Sequence, residues 1–114
     1  MNSKFVYTPA ETRLYERMLK QEFIAFERST RSVRPSDPLW VGVDIHFQFA
    51  TKKKERWGKP HLFRPDIDNL EKAVLDAANG ILYKDDCLVA YKYSCKEWAE
   101  TDCVSIYIRY GEKS

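Results

Sequence analysis

Glycine is scarce in this chain, with four in 114 residues. None stands in a G-x-x-x-x-G-K-[ST] loop or another glycine-rich phosphate cradle, which argues against a nucleotide hydrolase of that kind. Cysteine is also sparse. Cys87, Cys95 and Cys103 are odd in number and no two are spaced C-x-x-C. That pattern fits neither a disulfide framework nor a zinc knuckle. Free, buried thiols in a reducing cytosol are expected instead. No apolar run approaches the ~20 residues of a membrane span. The opening segment, Met1 to Tyr7, is too short and polar for a signal peptide. A cytoplasmic, nucleoid-associated location without membrane contact is the expectation.

What is present suits one globular domain over residues 1–114. The apolar share is 44%. A chain of this size hides roughly 60–70% of its unfolded surface. The net charge of +2 conceals a segregated distribution. Lys52, Lys53, Lys54, Arg56, Lys59 and Arg64 crowd one segment in which Glu55 is the only acid, so that segment carries +5 and the remainder −3. Such segregation predicts an anionic partner.

Periodicity predicts an α+β fold, with a mainly antiparallel or mixed sheet of about four strands and two helices packed on it. Lys4 to Thr8 reads as a short strand. Thr8, Pro9 and Glu11 read as the capped start of a helix running to about Ser29. Leu14, Tyr15, Met18, Leu19 and Phe26 form its apolar face, with Glu22 near the middle. Leu39 to Ala50 alternates apolar and mostly polar residues and is the clearest strand. A second helix follows the basic segment. Its core stripe is Ile67, Leu70, Ala73, Val74, Ala77, Ala78 and Ile81. Asp68 with Glu71 reads as a capping box, and Gly80 as the stop. Ile81 to Tyr83 reads as a short strand. Cys87 to Lys96 and Cys103 to Tyr110 read as two more strands, joined as a hairpin through Glu97 to Asp102.

Three acids carry the chemistry. If Pro65 keeps the segment extended, Asp66 and Asp68 point to one side with alpha carbons ~6–7 Å apart. The helix, Gly80 and the short strand then reverse the chain and can return Asp86 to Asp68. Carboxylate oxygens without thiols or paired histidines suit magnesium rather than zinc. Taken singly, Asp68 is a helix cap and Asp85-Asp86 a solvated turn. Lys72 lies one turn after Asp68 and Asp76 one turn further. Their plain reading is a surface ladder of i,i+4 pairs. The sharper one sets Lys72 on the scissile phosphate. Leu75, off the core stripe, is a candidate subunit contact.

The basic segment is either a mobile, solvated stretch or an arm that tracks phosphates and releases counterions. Trp57 and Phe63 are interleaved aromatics able to stack on unpaired bases or to wedge a junction open. His61 is a candidate phosphate contact, whereas His46 reads as a sheet-face residue.

Arg64-Pro65-Asp66-Ile67-Asp68-Asn69-Leu70-Glu71-Lys72, followed by Asp76, Asn79-Gly80 and Asp85-Asp86-Cys87-Leu88-Val89, resembles the RusA family of Holliday junction resolvases. The likeness covers roughly Pro38 to Tyr110. It implies that Asp66, Asp68 and Asp86 bind the catalytic metal, Mg2+ with Mn2+ as a substitute, and that Lys72 is the essential lysine. Asp85 sits in the matching acidic pair. The resemblance further implies a homodimer making paired nicks in four-way junctions during DNA recombination and repair. The basic residues Lys52, Lys53, Lys54, Arg56, Lys59 and Arg64 would then grip the DNA. Two alternatives are a nuclease for flaps or forks and a non-catalytic nucleic-acid-binding module.

Overall fold

The strand predicted from strict alternation is the centre of the molecule. In the computed structural model, which describes residues 2–5, 12–35 and 37–111, it is β2, Trp40–Ala50. Val41, Val43, Ile45, Phe47 and Phe49 are all buried, at 0–5% exposure, on one face. β4, Cys103–Gly111, pairs antiparallel with one edge of β2 and adds Val104, Ile106 and Ile108 to that face. β1, Asn2–Phe5, pairs antiparallel with the far edge of β4.

β3, Val89–Ala99, pairs with the other edge of β2 and runs parallel to it. The sheet is therefore mixed, in the order β1-β4-β2-β3. The hairpin expected through residues 97–102 does not form, because β3 and β4 lie on opposite sides of β2. The long connection between parallel neighbours holds α2, Ile67–Ala78. Parallel strands require a crossover of this length.

α1, Thr12–Thr30, and α2 pack on the apolar face. Leu70, Ala73, Val74, Ala77 and Ala78 of α2 are buried as the stripe predicts, while Ile67 and Ile81 are half-buried. In α1 the seam is rotated from the expected one. Leu19 and Phe23 are fully buried and Phe26 half-buried, an i, i+4, i+7 line, whereas Met18 and Glu22 face outward. The expected cap at Thr8, Pro9 and Glu11 lies outside the described residues, as do the side chains of Leu14 and Tyr15. α2 ends at Ala78, and Gly80 with φ +81° turns the chain, a conformation L side chains rarely adopt. Residues 81–83 are a turn, not a strand, with a single bridge between Asn79 and Tyr83.

Candidate active site

α2 begins two residues earlier than a capping box at Asp68 requires. Asp66 holds the cap position with extended backbone (φ −68°, ψ 145°), and its side chain makes no cap hydrogen bond. Ile67 and Asp68 are already helical. Residues two apart in an α-helix are turned by about 200°, so the extended-chain geometry fails here. Asp68 lines a hollow with Glu71, Lys72, Asp76, Asp86 and Lys92. Asp66 lines a separate one with Arg64, Pro65 and Asn69. Among the described residues, no three acidic, histidine or cysteine side chains are grouped to hold a metal ion. The structure thus brings Asp68, Asp86 and Lys72 together and leaves Asp66 at the neighbouring surface. Both Asp66 and Asp68 stand at the N-terminal end of α2.

Asp86 reaches the hollow through the chain reversal after α2. The Gly80 amide donates to the Tyr83 carbonyl at 2.8 Å and the Leu82 amide to that of Ala78 at 2.9 Å. Residues Asp86–Leu88 then form one 3-10 turn, capped by the Asp85 carboxylate accepting from the Cys87 amide at 3.4 Å. Asp85 therefore shapes the turn, and Asp86 is the acid presented to Asp68. Beneath them Tyr83 is buried and its hydroxyl donates to the Leu75 carbonyl at 2.8 Å. Burial, and then the negative charges of Asp86 and Asp76, push the Tyr83 phenol above its ordinary range, so it stays neutral. Leu75 packs half-buried against the core and lines the hollow.

Lys72 is exposed and forms no ion pair among the described residues. The i,i+4 ladder with Asp68 and Asp76 is not made, so its ammonium is available to a ligand. The charge pairing in the hollow instead joins Glu71, expected only as a capping acid, to two residues of β3 that sequence reasoning missed. Glu71 accepts from Lys92 Nζ at 2.7 Å and from Ser94 Oγ at 2.6 Å. Burial works to raise the Glu71 pKa, but these two hydrogen bonds outweigh it and the carboxyl lies below its ordinary value. Lys92 is pushed up by its hydrogen bond and charge pairing with Glu71, and further by Asp68. The available signal was the period-two row Lys92, Ser94, Lys96 along β3.

The basic segment is anchored rather than loose. It runs along the outer edge of β3, with Gly58 N donating to Trp98 O at 2.9 Å, Trp98 N to Lys59 O at 2.9 Å, and His61 N to Lys96 O at 3.0 Å. Gly58 adopts φ +82° at the bend. Lys52, Lys53, Lys54, Lys59 and Arg64 are exposed, while Arg56 lies half-buried over the Trp98 ring. Trp57 is half-buried and its Nε1 donates to Thr51 O at 2.9 Å, which fixes the ring against the start of the segment. His61 is 5% exposed and stacks on Phe49 at 4.0 Å between ring centres, which rules out the phosphate contact expected of it. Phe63 is 64% exposed. His46 lies on the open sheet face against Tyr93 and Tyr107, as expected. All three cysteines are free, though only Cys103 is buried.

No helix among the described residues is long and apolar enough to cross a membrane. Over 63 residues the chain is 41% identical to the uncharacterized protein YqaN of Bacillus subtilis (strain 168), covering 53% of this chain and 44% of that protein. The chain thus spans less than half the length of that relative. Residues 1–109 match the family described as endodeoxyribonuclease RusA. With the match running through the acidic hollow, the lysine beside it and the anchored basic segment, this chain belongs to the RusA endodeoxyribonuclease family.

Proposed function

We propose that the chain is a magnesium-dependent endodeoxyribonuclease that resolves four-way DNA junctions by paired, symmetric nicks. The observation that carries this reading is the single hollow in which Asp68, Asp86 and the unpaired Lys72 lie together. Its acidic donors are hard oxygens and include no thiol or imidazole. Magnesium keeps several waters and needs only one or two protein carboxylates, so Asp68 and Asp86 suit it. Asp66, at the neighbouring surface, is the further carboxylate that the family resemblance adds to the set. A magnesium ion held by Asp68 and Asp86 would supply activation of a water and polarisation of the phosphate.

The chain's own residues supply the rest. Lys72 neutralises charge building on the phosphate oxygens in the transition state. The Glu71–Ser94 pair holds Lys92 at the rim, where its ammonium adds to the field on an incoming strand. Tyr83, being neutral, adds no negative charge beneath the carboxylates. The basic segment positions the backbone without reading bases. Paired nicks need two hollows related by a twofold axis, so the active form is a homodimer. The open sheet face, with Trp40, Tyr91, Tyr93 and Tyr107 around an Asp44–Arg109 pair at 3.6 Å, suits such self-pairing.

The test is a cutting assay on a synthetic four-way junction and a linear duplex, in Mg2+, Mn2+ or chelator. Symmetric nicks in the junction with either metal, none in chelator and an intact duplex are expected. No product in Mg2+ overturns the reading. Cutting of flaps or forks in preference to four-way junctions overturns the junction assignment alone.

A further inference from the structure

Leu62 and Phe63 are apolar side chains in the one segment where the chain concentrates positive charge. They are 85% and 64% exposed. Exposed apolar pairs on a small domain are ordinary when scattered on a mobile loop. The backbone that carries this pair is instead held in place from both sides. On the inner side His61 is wedged against Phe49 and, at 4.4 Å between ring centres, against Trp98. On the outer side Lys96 Nζ donates to the carbonyls of Phe63 and Pro65, both at 2.7 Å. The Phe63 ring stands edge-on to His61 and Trp98 at 6.0 Å, which leaves its other faces to solvent. Arg64 and Asp66 follow at once, and with them the acids of α2.

We propose that Leu62 and Phe63 form a fixed wedge that enters DNA at a branch point and stacks against bases unstacked there. This rests on the nuclease reading and adds to it a means of choosing branched over linear DNA. Charge complementarity supports the occupant. Lys59 and Arg64 bracket the pair and can hold phosphates on either side of it. An aromatic face accepts any base, so the contact is independent of sequence. In a continuous duplex the wedge must first separate stacked base pairs, a cost that is lower where arms already diverge. Phe63 is held at its carbonyl by Lys96 and at its ring edge by His61 and Trp98, so little of its freedom is given up on binding.

The experiment uses the full chain with four-way junctions carrying 2-aminopurine either at the branch or within an arm, in chelator, and follows cutting of the same junctions after Mg2+ is added. Wild-type protein is expected to change the fluorescence at the branch and not in the arm. Phe63→Ala should lose that change and bind the junction roughly tenfold more weakly, with duplex binding unchanged. Phe63→Trp should restore both. Leu62→Ser should fall between. A branch signal and junction affinity retained in Phe63→Ala overturn the wedge, as does wild-type binding with no change at the branch. If Phe63→Ala dissociates a dimer while keeping the branch signal, the pair is a protein contact and the wedge is again overturned. A failed wedge leaves wild-type cutting in Mg2+ intact, whereas failure of the nuclease reading appears as loss of that cutting.

Discussion

His61 combines deep burial with an Nδ1 that has no hydrogen-bond partner among the described residues. Burial first, and the charge of Lys96 second, lower its pKa from the ordinary 6.5. A base whose pKa is lower folded than unfolded binds its proton more readily in the unfolded chain. Stability is then full above about pH 6.5 and falls as pH drops through the folded pKa. Denaturation midpoints measured from pH 7.5 to pH 5 should decline. His61→Phe, which keeps the stack on Phe49 and cannot titrate, should flatten the decline. An equal slope in the variant contradicts the assignment. Elsewhere at this scale the sequence revealed identities better than directions. That Asp68, Lys72 and Asp86 share one hollow was legible from spacing, but the divergence of Asp66 depends on where α2 starts, a matter of two residues. The Glu71–Lys92 pair joins residues of two elements, and only the crossover brings them together.

At the scale of elements, α2 carries Asp68 and Lys72 on one flank and the core on the other. Val74, at 1% exposure, fixes that orientation against the sheet. Val74→Ala removes buried methyl groups and leaves a cavity, costing about 2 kcal/mol. For a domain of this size the melting temperature should fall by roughly 10 °C. A shift under about 2 °C means that α2 does not pack as described. The α2 stripe and the β2 alternation were readable because each buries one face against the same core. The pairing of β3 was not. Alternation looks the same in parallel and antiparallel neighbours, and the short link through residues 97–102 favoured a hairpin. β3 also has a polar row, Lys92, Ser94 and Lys96, toward the helices, because it flanks the hollow instead of the core.

Over the whole molecule, the proposed function makes β3 the ruler between cutting and gripping. Lys92 borders the hollow and Trp98 meets the basic segment, roughly 20 Å away at ~3.3 Å per strand residue. A DNA strand laid along it spans about six nucleotides at ~3.4 Å each. Neutralising Lys52, Lys53 and Lys54 together should therefore weaken binding without moving the cut. It should reduce the slope of log affinity against log salt by about 0.9 for each phosphate that no longer meets a cation. An unchanged slope puts the DNA on another surface.

The decisive measurement is single-turnover cutting of a four-way junction in Mg2+ by Asp68→Asn and by Asp86→Asn. If the two carboxylates serve one ion beside Lys72, each variant should bind the junction as wild type does. Each should cut it more than about a hundredfold more slowly, and the double variant should add little further loss. Wild-type cutting by either single variant contradicts the account.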